Sequence, residues 1–351
     1  MKNAVWLAVA FGSCLGIPAQ QAAEKVNAGR LVKYIELPAK KQQAVRELLR
    51  LGKEAVPALA RAMLDPRPEV VCTVASILRA LGPDAAAAQP ALEKVAGGAD
   101  PRCAAAARWA LTGVGPREGV VLVSAGNDGE ALVLDLETGK QVGESITLRK
   151  KVFDCERLPN GNFLTANWGK HEVREITPKG DVVWSYGKLG APMDADALPN
   201  GNVLIADMSK GFVREVDRSG KTVWEFKSPD PYGAERLPGG NTLIADFKGH
   251  VVEVDPKGKV VWRHECSAPM GATRLPDGNT LIASWTNKVF VVAPDKKVVR
   301  TIGVPFSSYV ARLLPGGDIV VSGDAGVARV DAQGKVKWQV AVRTAGSLEI
   351  Y

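Results

Sequence analysis

The sequence predicts a short α-solenoid followed by a six-bladed β-propeller, and three observations predict it. One stretch recurs as "RLPNGNFLTANW" at 157–168, "ALPNGNVLIADM" at 197–208, "RLPGGNTLIADF" at 236–247, "RLPDGNTLIASW" at 274–285 and "LLPGGDIVVSGD" at 313–324. Their turn leucines, Leu158, Leu198, Leu237, Leu275 and Leu314, lie 38 to 40 residues apart, and such a period identifies a repeat architecture. Between these turns, runs such as "GNTLIAD", "HVVEVD" and "KVVWRHE" alternate as strands do and close in turns such as "DPKGK", "DRSGK" and "DAQGK". Upstream of about residue 116 the alternation gives way to alanine and leucine at helical spacing.

At 351 residues the chain is long for a single core, so two domains are expected. Hydrophobic residues make up 46% and charged residues 24%, which excludes a disordered or polytopic membrane protein. The net charge of +7 is spread along the chain and reads as a solvated surface, so no nucleic-acid partner is expected.

The first element, residues 1–23, reads as a signal peptide: Lys2, an apolar run from Ala4 to Ile17, then small residues. It places the protein outside the cytoplasm, periplasmic or extracellular. Cys14 behind "FGS" offers an alternative, a lipoprotein anchor with peripheral membrane association. Residues 24–39 read as a linker.

Residues 40–115 form the helical region, with runs such as "AVRELLRLG" and "EVVCTVASILRALG" each ending in glycine or a proline-containing turn. "LGKEAVPAL" at 51–59 is echoed by "LGPDAAAAQPAL" at 81–92, and "DPRPEV" at 65–70 by "DPRCAA" at 100–105. These segments resemble HEAT repeats with a short period, which implies helix pairs stacked through their small alanines. Cys72 and Cys103 either meet across neighbouring helices or remain buried thiols; no zinc-type Cys/His spacing is present.

The propeller spans 116–351. Five complete four-stranded units run from about 152 to 342, each with an LPxGN hairpin in which proline presets one φ and the following glycine takes a positive one. Trp184, Trp224, Trp262 and Trp338 occupy one position per unit, with Arg300 in the same place in another, and are expected to pack between blades. The segment 119–147 supplies three strands of a sixth blade but no inner strand. The last residues, "AGSLEIY", are expected to supply it and close the ring.

The unit LPxGNxLIA…V-x-E-V-D-x-x-G-K-V-V-W resembles the repeats of PQQ-like propellers and of the arylsulfotransferase group, over residues 118–351. The arylsulfotransferase resemblance implies a histidine nucleophile in the central channel. The three histidines, His171, His250 and His264, all fall outside the inner strands, and "HEVRE" at 171–175 lacks the second histidine of a zinc-protease motif. Six blades without adjacent paired cysteines argue against a quinone, and no cofactor is expected. Asp154, Glu156, Asp194, Asp196 and Glu235 precede the inner turns. Asp154, Asp194, Asp196 and Glu235 are weak metal candidates, since a calcium site needs six to eight oxygens. Ordinary ion pairs with the neighbouring Arg157, Arg236 and Arg274 are the competing expectation.

One face carries the main candidate site. Trp168, Met208, Phe247 and Trp285 stand in the loops between second and third strands. Phe153, Met193, Tyr232, Met270 and Tyr309 stand five residues before the turn leucines, with Lys170, Lys210, Lys248 and Lys288 nearby. Topology sends both groups to the same mouth, where they either bind a ligand or pack against neighbouring loops. The function read from these features is that of an exported, non-catalytic binding or scaffold protein for a protein or glycan partner in the envelope. The rival is a propeller enzyme of arylsulfotransferase or lactonase type with its site in the channel. Fold analogy adds a third reading, an assembly factor at a bacterial outer membrane.

Overall fold

The computed structural model describes residues 27–114, 119–148 and 150–351. The signal segment and Cys14 lie outside them.

The helical arm holds α1 (Ala28–Tyr34), α2 (Pro38–Leu51), α3 (Val56–Ala62), α4 (Pro68–Leu81), α5 (Gln89–Ala96) and α6 (Pro101–Leu111). The stretch expected as a linker is therefore partly helical: α1 lies within 24–39, with Leu31 and Val32 packed on the arm's core. The echoed sequences occupy equivalent places. α2 and α4 each begin with proline at the first turn and end at a glycine with positive φ, Gly52 (56°) and Gly82 (59°). Each passes into a 3-10 segment, 52–55 and 82–88, and then into α3 or α5. Proline suits a helix start because its missing N–H would have no intrahelical partner there. Asp100 caps α6, accepting from the Arg102 and Cys103 amides at 2.9 and 3.0 Å. The apolar stripes of these helices meet at Leu48, Leu59, Ile77, Leu78 and Leu92, all fully buried. Cys72 and Cys103 are free thiols.

The β region forms six four-stranded antiparallel sheets. Their inner strands are Val152–Arg157, Pro192–Ala197, Pro231–Arg236, Pro269–Arg274, Ser308–Leu313 and Ala345–Ile350. The last of these, β24, pairs with β1 (Val120–Ala125) in the register Leu122↔Glu349 and Val123↔Leu348. The C-terminal residues thus complete the first blade, as the missing strand required. Tyr351 finishes the closure: it is 8% exposed, and its hydroxyl accepts from the Arg157 amide at 2.9 Å.

The repeat motif has a local cause. At the LPxGN turns Gly161, Gly201, Gly240, Gly278 and Gly317 have φ between 83° and 96°, a region that side chains with a Cβ disfavour. The motif's asparagines serve the third strand. Asn160 and Asn162 both donate to Glu175 Oε1, and Asn200 and Asn202 to Glu215 Oε1. The next blade supplies the countercharge, Arg218 to Glu175 at 2.7 Å and Arg236 to Glu215 at 2.8 Å. Between blades, the indole N–H of Trp184 donates to the Arg218 carbonyl at 2.9 Å, and that of Trp262 to the Pro294 carbonyl at 3.1 Å. Trp338 closes the ring the same way, onto the Leu136 carbonyl at 3.0 Å. Arg300 reaches the Ala332 carbonyl at 2.8 Å from the same position, a guanidinium doing what the indole N–H does elsewhere. Emptying one such indole site would cost about 3–5 kcal/mol.

Candidate functional site

The arm docks over the mouth formed by the LPxGN turns. Gln42 donates to the Gly239 carbonyl at 2.9 Å and to Asn241 Oδ1 at 2.8 Å. The Trp109 indole donates to the Ala197 carbonyl at 2.8 Å. Arg79 lies over the Trp109 ring at 4.4 Å and reaches Glu156 at 3.3 Å. This end of the channel is thereby covered by helix.

At the opposite mouth the structure brings all nine aromatic and methionine candidates together, in two tiers. Phe153, Met193, Met270 and Tyr309 are buried, 4–8% exposed, and form the inner tier with half-buried Tyr232. Phe153 meets Tyr309 edge-on, with ring centroids 4.9 Å apart. Trp168, Met208 and Phe247 are half-buried around this plug, while Trp285 is 40% exposed, its ring 5.5 Å from Tyr309. The inner tier is a packed plug; the outer tier presents apolar surface. Polar side chains at the ends of second strands hold the loops that carry it, Asn167 beside Trp168 and Ser284 beside Trp285 among them. Asp207 accepts from the Gly190 and Ala191 amides at 2.7 and 2.9 Å, and Asp246 from the Asp230 and Lys248 amides at 3.1 and 2.9 Å. Lys170, Lys210, Lys248 and Lys288 are exposed around the rim, and Lys151 lies 4.9 Å from the centre of the Trp168 ring.

Between plug and arm lies a cavity of about 320 Å3. Asp154, Glu156, Asp194, Asp196 and Glu235 all line it, yet they do not pair with Arg236 and Arg274 as expected. Arg236 and Arg274 turn away to Glu215 and Glu253, at 2.8 and 2.9 Å. The carboxylates instead accept backbone amides of the next blade: Ala195 to Asp154 (3.1 Å), Ala197 to Glu156 (2.8 Å), Ala234 to Asp194 (2.7 Å) and Arg274 to Glu235 (3.0 Å). Asp154 and Glu156 are thus pinned to Pro192–Ala197, Asp194 to Pro231–Arg236 and Glu235 to Pro269–Arg274, and among the described residues no three metal-ligating side chains form a group able to hold an ion. Burial raises these acids, Asp194 to about 7 and Glu235 to about 6. Asp154 and Asp196 are pushed well up, by burial and then by the charge of Asp194.

The histidines lie away from this cavity. His171 contacts the Gly190 carbonyl, His250 begins a third strand, and His264 stacks on Trp262 with its pKa lowered by burial. Sequence reasoning missed Arg79, Trp109 and Glu349 as cavity residues; a lone tryptophan in the alanine-rich α6 was the one available signal.

The repeat signature matches the PQQ_2 family model, described as outer membrane protein assembly factor BamB, over residues 127–305, half of the chain. The chain belongs to the PQQ_2 family. No curated protein matches it in sequence. Among solved structures it is similar to a protein of unknown function from Bacteroides caccae, at 19% identity and TM-score 0.52, over 63% of this chain and 93% of that one. The WD40 propeller domain of Doa1 matches at 14% identity and TM-score 0.50, over 67% and 86% of the two chains. Virginiamycin B lyase from Staphylococcus aureus matches at 14% identity and TM-score 0.48, over 62% and 80%. At these identities the first two likenesses establish the propeller alone.

Proposed function

We propose that this PQQ_2 protein is an exported, non-catalytic scaffold that uses its lysine-rimmed aromatic mouth to hold a protein partner in the cell envelope. The observation that carries the reading is the outer tier: Trp168, Met208, Phe247 and Trp285 come from four blades, remain half-buried or exposed, and stand on loops fixed by the buried polar side chains of Asn167, Asp207, Asp246 and Ser284. Rigid aromatics at a preformed surface contribute binding energy out of proportion to their number. The exposed lysines favour a partner segment that combines acidic and apolar side chains. The family's description as an outer membrane protein assembly factor favours protein over glycan and supports an envelope location. The helical arm, with its HEAT-like duplication, offers a second surface on the far side of the ring.

The test pairs substitutions in the two tiers. Trp285→Ala, at a site 40% exposed, is expected to change stability by less than about 1 kcal/mol while abolishing retention of partners from envelope extract. Phe153→Ala, at 7% exposure, is expected to cost about 3–5 kcal/mol. Full partner retention by a folded Trp168→Ala, Trp285→Ala double variant would refute the assignment.

A further inference from the structure

We infer that the channel cavity between the mouth plug and the arm is a binding site for a small organic cation, an ammonium or guanidinium group on a short aliphatic body. This does not depend on what the outer mouth holds. Among the described residues the cavity is lined by six acidic residues, Asp154, Glu156, Asp194, Asp196, Glu235 and Glu349, and by three arginines, Arg79, Arg236 and Arg312. The three cations are already engaged: Arg79 with Glu156 (3.3 Å), Arg236 with Glu215 (2.8 Å) and Arg312 with Glu349 (2.7 Å). Among the described residues Asp154, Asp194, Asp196 and Glu235 have no ion-pair contact, though the Arg312 charge acts on Asp194, Asp196 and Glu235 from further off.

The acceptors that remain face the void. Asp154, Asp194 and Glu235 each give one oxygen to a backbone amide, which leaves Asp154 Oδ1, Asp194 Oδ1 and Glu235 Oε1 without a hydrogen bond. Asp196 accepts none. Asp154 is only 8% exposed, yet its free oxygen is not among the sealed unpaired atoms, so the surface that it keeps opens onto the cavity. These acceptors open onto the cavity, and a ligand carrying several N–H groups would satisfy them.

The class of ligand follows from the walls. The acids are spread over three inner strands, Asp154 on one, Asp194 and Asp196 on the next and Glu235 on the third, so they suit an extended donor better than a point charge. The plug end offers the rings of Phe153, Tyr232 and Tyr309, whose faces attract cations, and methionines that accept an aliphatic body. At the other end the chain itself shows the recognition: Arg79 puts a guanidinium between the Glu156 carboxylate and the Trp109 face. The raised acids support the same reading, because a bound cation would return them to the ionised form and release protons. The other titratable or charged groups facing them are Glu156, Glu349, Arg79, Arg236, Arg312, Tyr232 and Tyr309.

The experiment is calorimetric titration of the full chain with putrescine and with agmatine, in two buffers of different ionisation enthalpy. The neutral 1,4-butanediol and magnesium chloride serve as comparison ligands. One diamine or guanidinium probe is expected to bind one-to-one with buffer-dependent enthalpy, and at least tenfold more weakly at pH 5 than at pH 7.5. Asp196→Asn disturbs no hydrogen bond, so it should fold normally, as circular dichroism would verify, and should weaken binding at least tenfold. Glu144→Gln, at an exposed carboxylate away from the channel, should leave it unchanged. No heat with either probe at millimolar concentration, equal binding of butanediol, displacement by magnesium, or undiminished binding in Asp196→Asn would each overturn the assignment.

Discussion

Leu348 stands three places before Tyr351, yet it should behave as a core residue. It is 0% exposed on β24, opposite Val123 of β1, and packs with Val121, Leu134, Val320 and Val342 from three parts of the chain. Leu348→Ala removes three buried carbons, about 2.4 kcal/mol at roughly 0.8 kcal/mol each. The cavity left behind brings the expected loss to about 3–4 kcal/mol. Urea unfolding followed by circular dichroism measures it: with a slope near 3 kcal/mol per molar, the midpoint should fall by about 1 M with the slope unchanged. Val183→Ala, on an outer strand and 55% exposed, is the control and should stay within about 0.5 kcal/mol of the parent. Deleting 344–351 should be far worse, because it opens the edge of β1 and leaves the half-buried Arg312 guanidinium without Glu349. An unchanged midpoint for Leu348→Ala, or an unchanged melting temperature for the deletion, would mean that β24 does not close the ring.

Glu235 ties stability to pH. Its folded pKa, raised by burial to about 6 from 4.5, favours the protonated form in the native state. Its contribution, roughly 2 kcal/mol, is fully present below pH 4.5 and is lost as pH rises through 6. Glu235→Gln should therefore gain on the parent in melting temperature between pH 4.5 and 7.5; parallel curves would refute the shift. Export predicts a mature N-terminus between about residues 17 and 25, read by N-terminal sequencing, and a retained Met1 would refute it. A fatty acid on Cys14 would assign the chain to the lipid-anchored class.

The repeat was legible in the sequence because its causes are local. A positive-φ glycine after proline makes the LPxGN hairpin wherever it occurs, and alternation marks strands whose two faces see different surroundings. The missing inner strand of the first blade was legible too, since a ring with one unpaired edge demands a partner. The convergence at the mouth followed from topology, because equal positions in equal blades must meet. What those side chains do there was decided only by packing. Phe153 and Trp285 read alike in the sequence, yet one is sealed at 7% exposure and the other stands 40% exposed. The acids show the same limit: beside arginines in sequence they suggested ion pairs, but strand alternation sends Arg236 and Arg274 outward to Glu215 and Glu253 while the acids face the axis. Contacts such as Arg79 to Glu156, 77 residues apart, and Gln42 to Asn241, 199 apart, have no local signature. They arise when two separately stable surfaces dock, and that geometry exists only once both domains have folded.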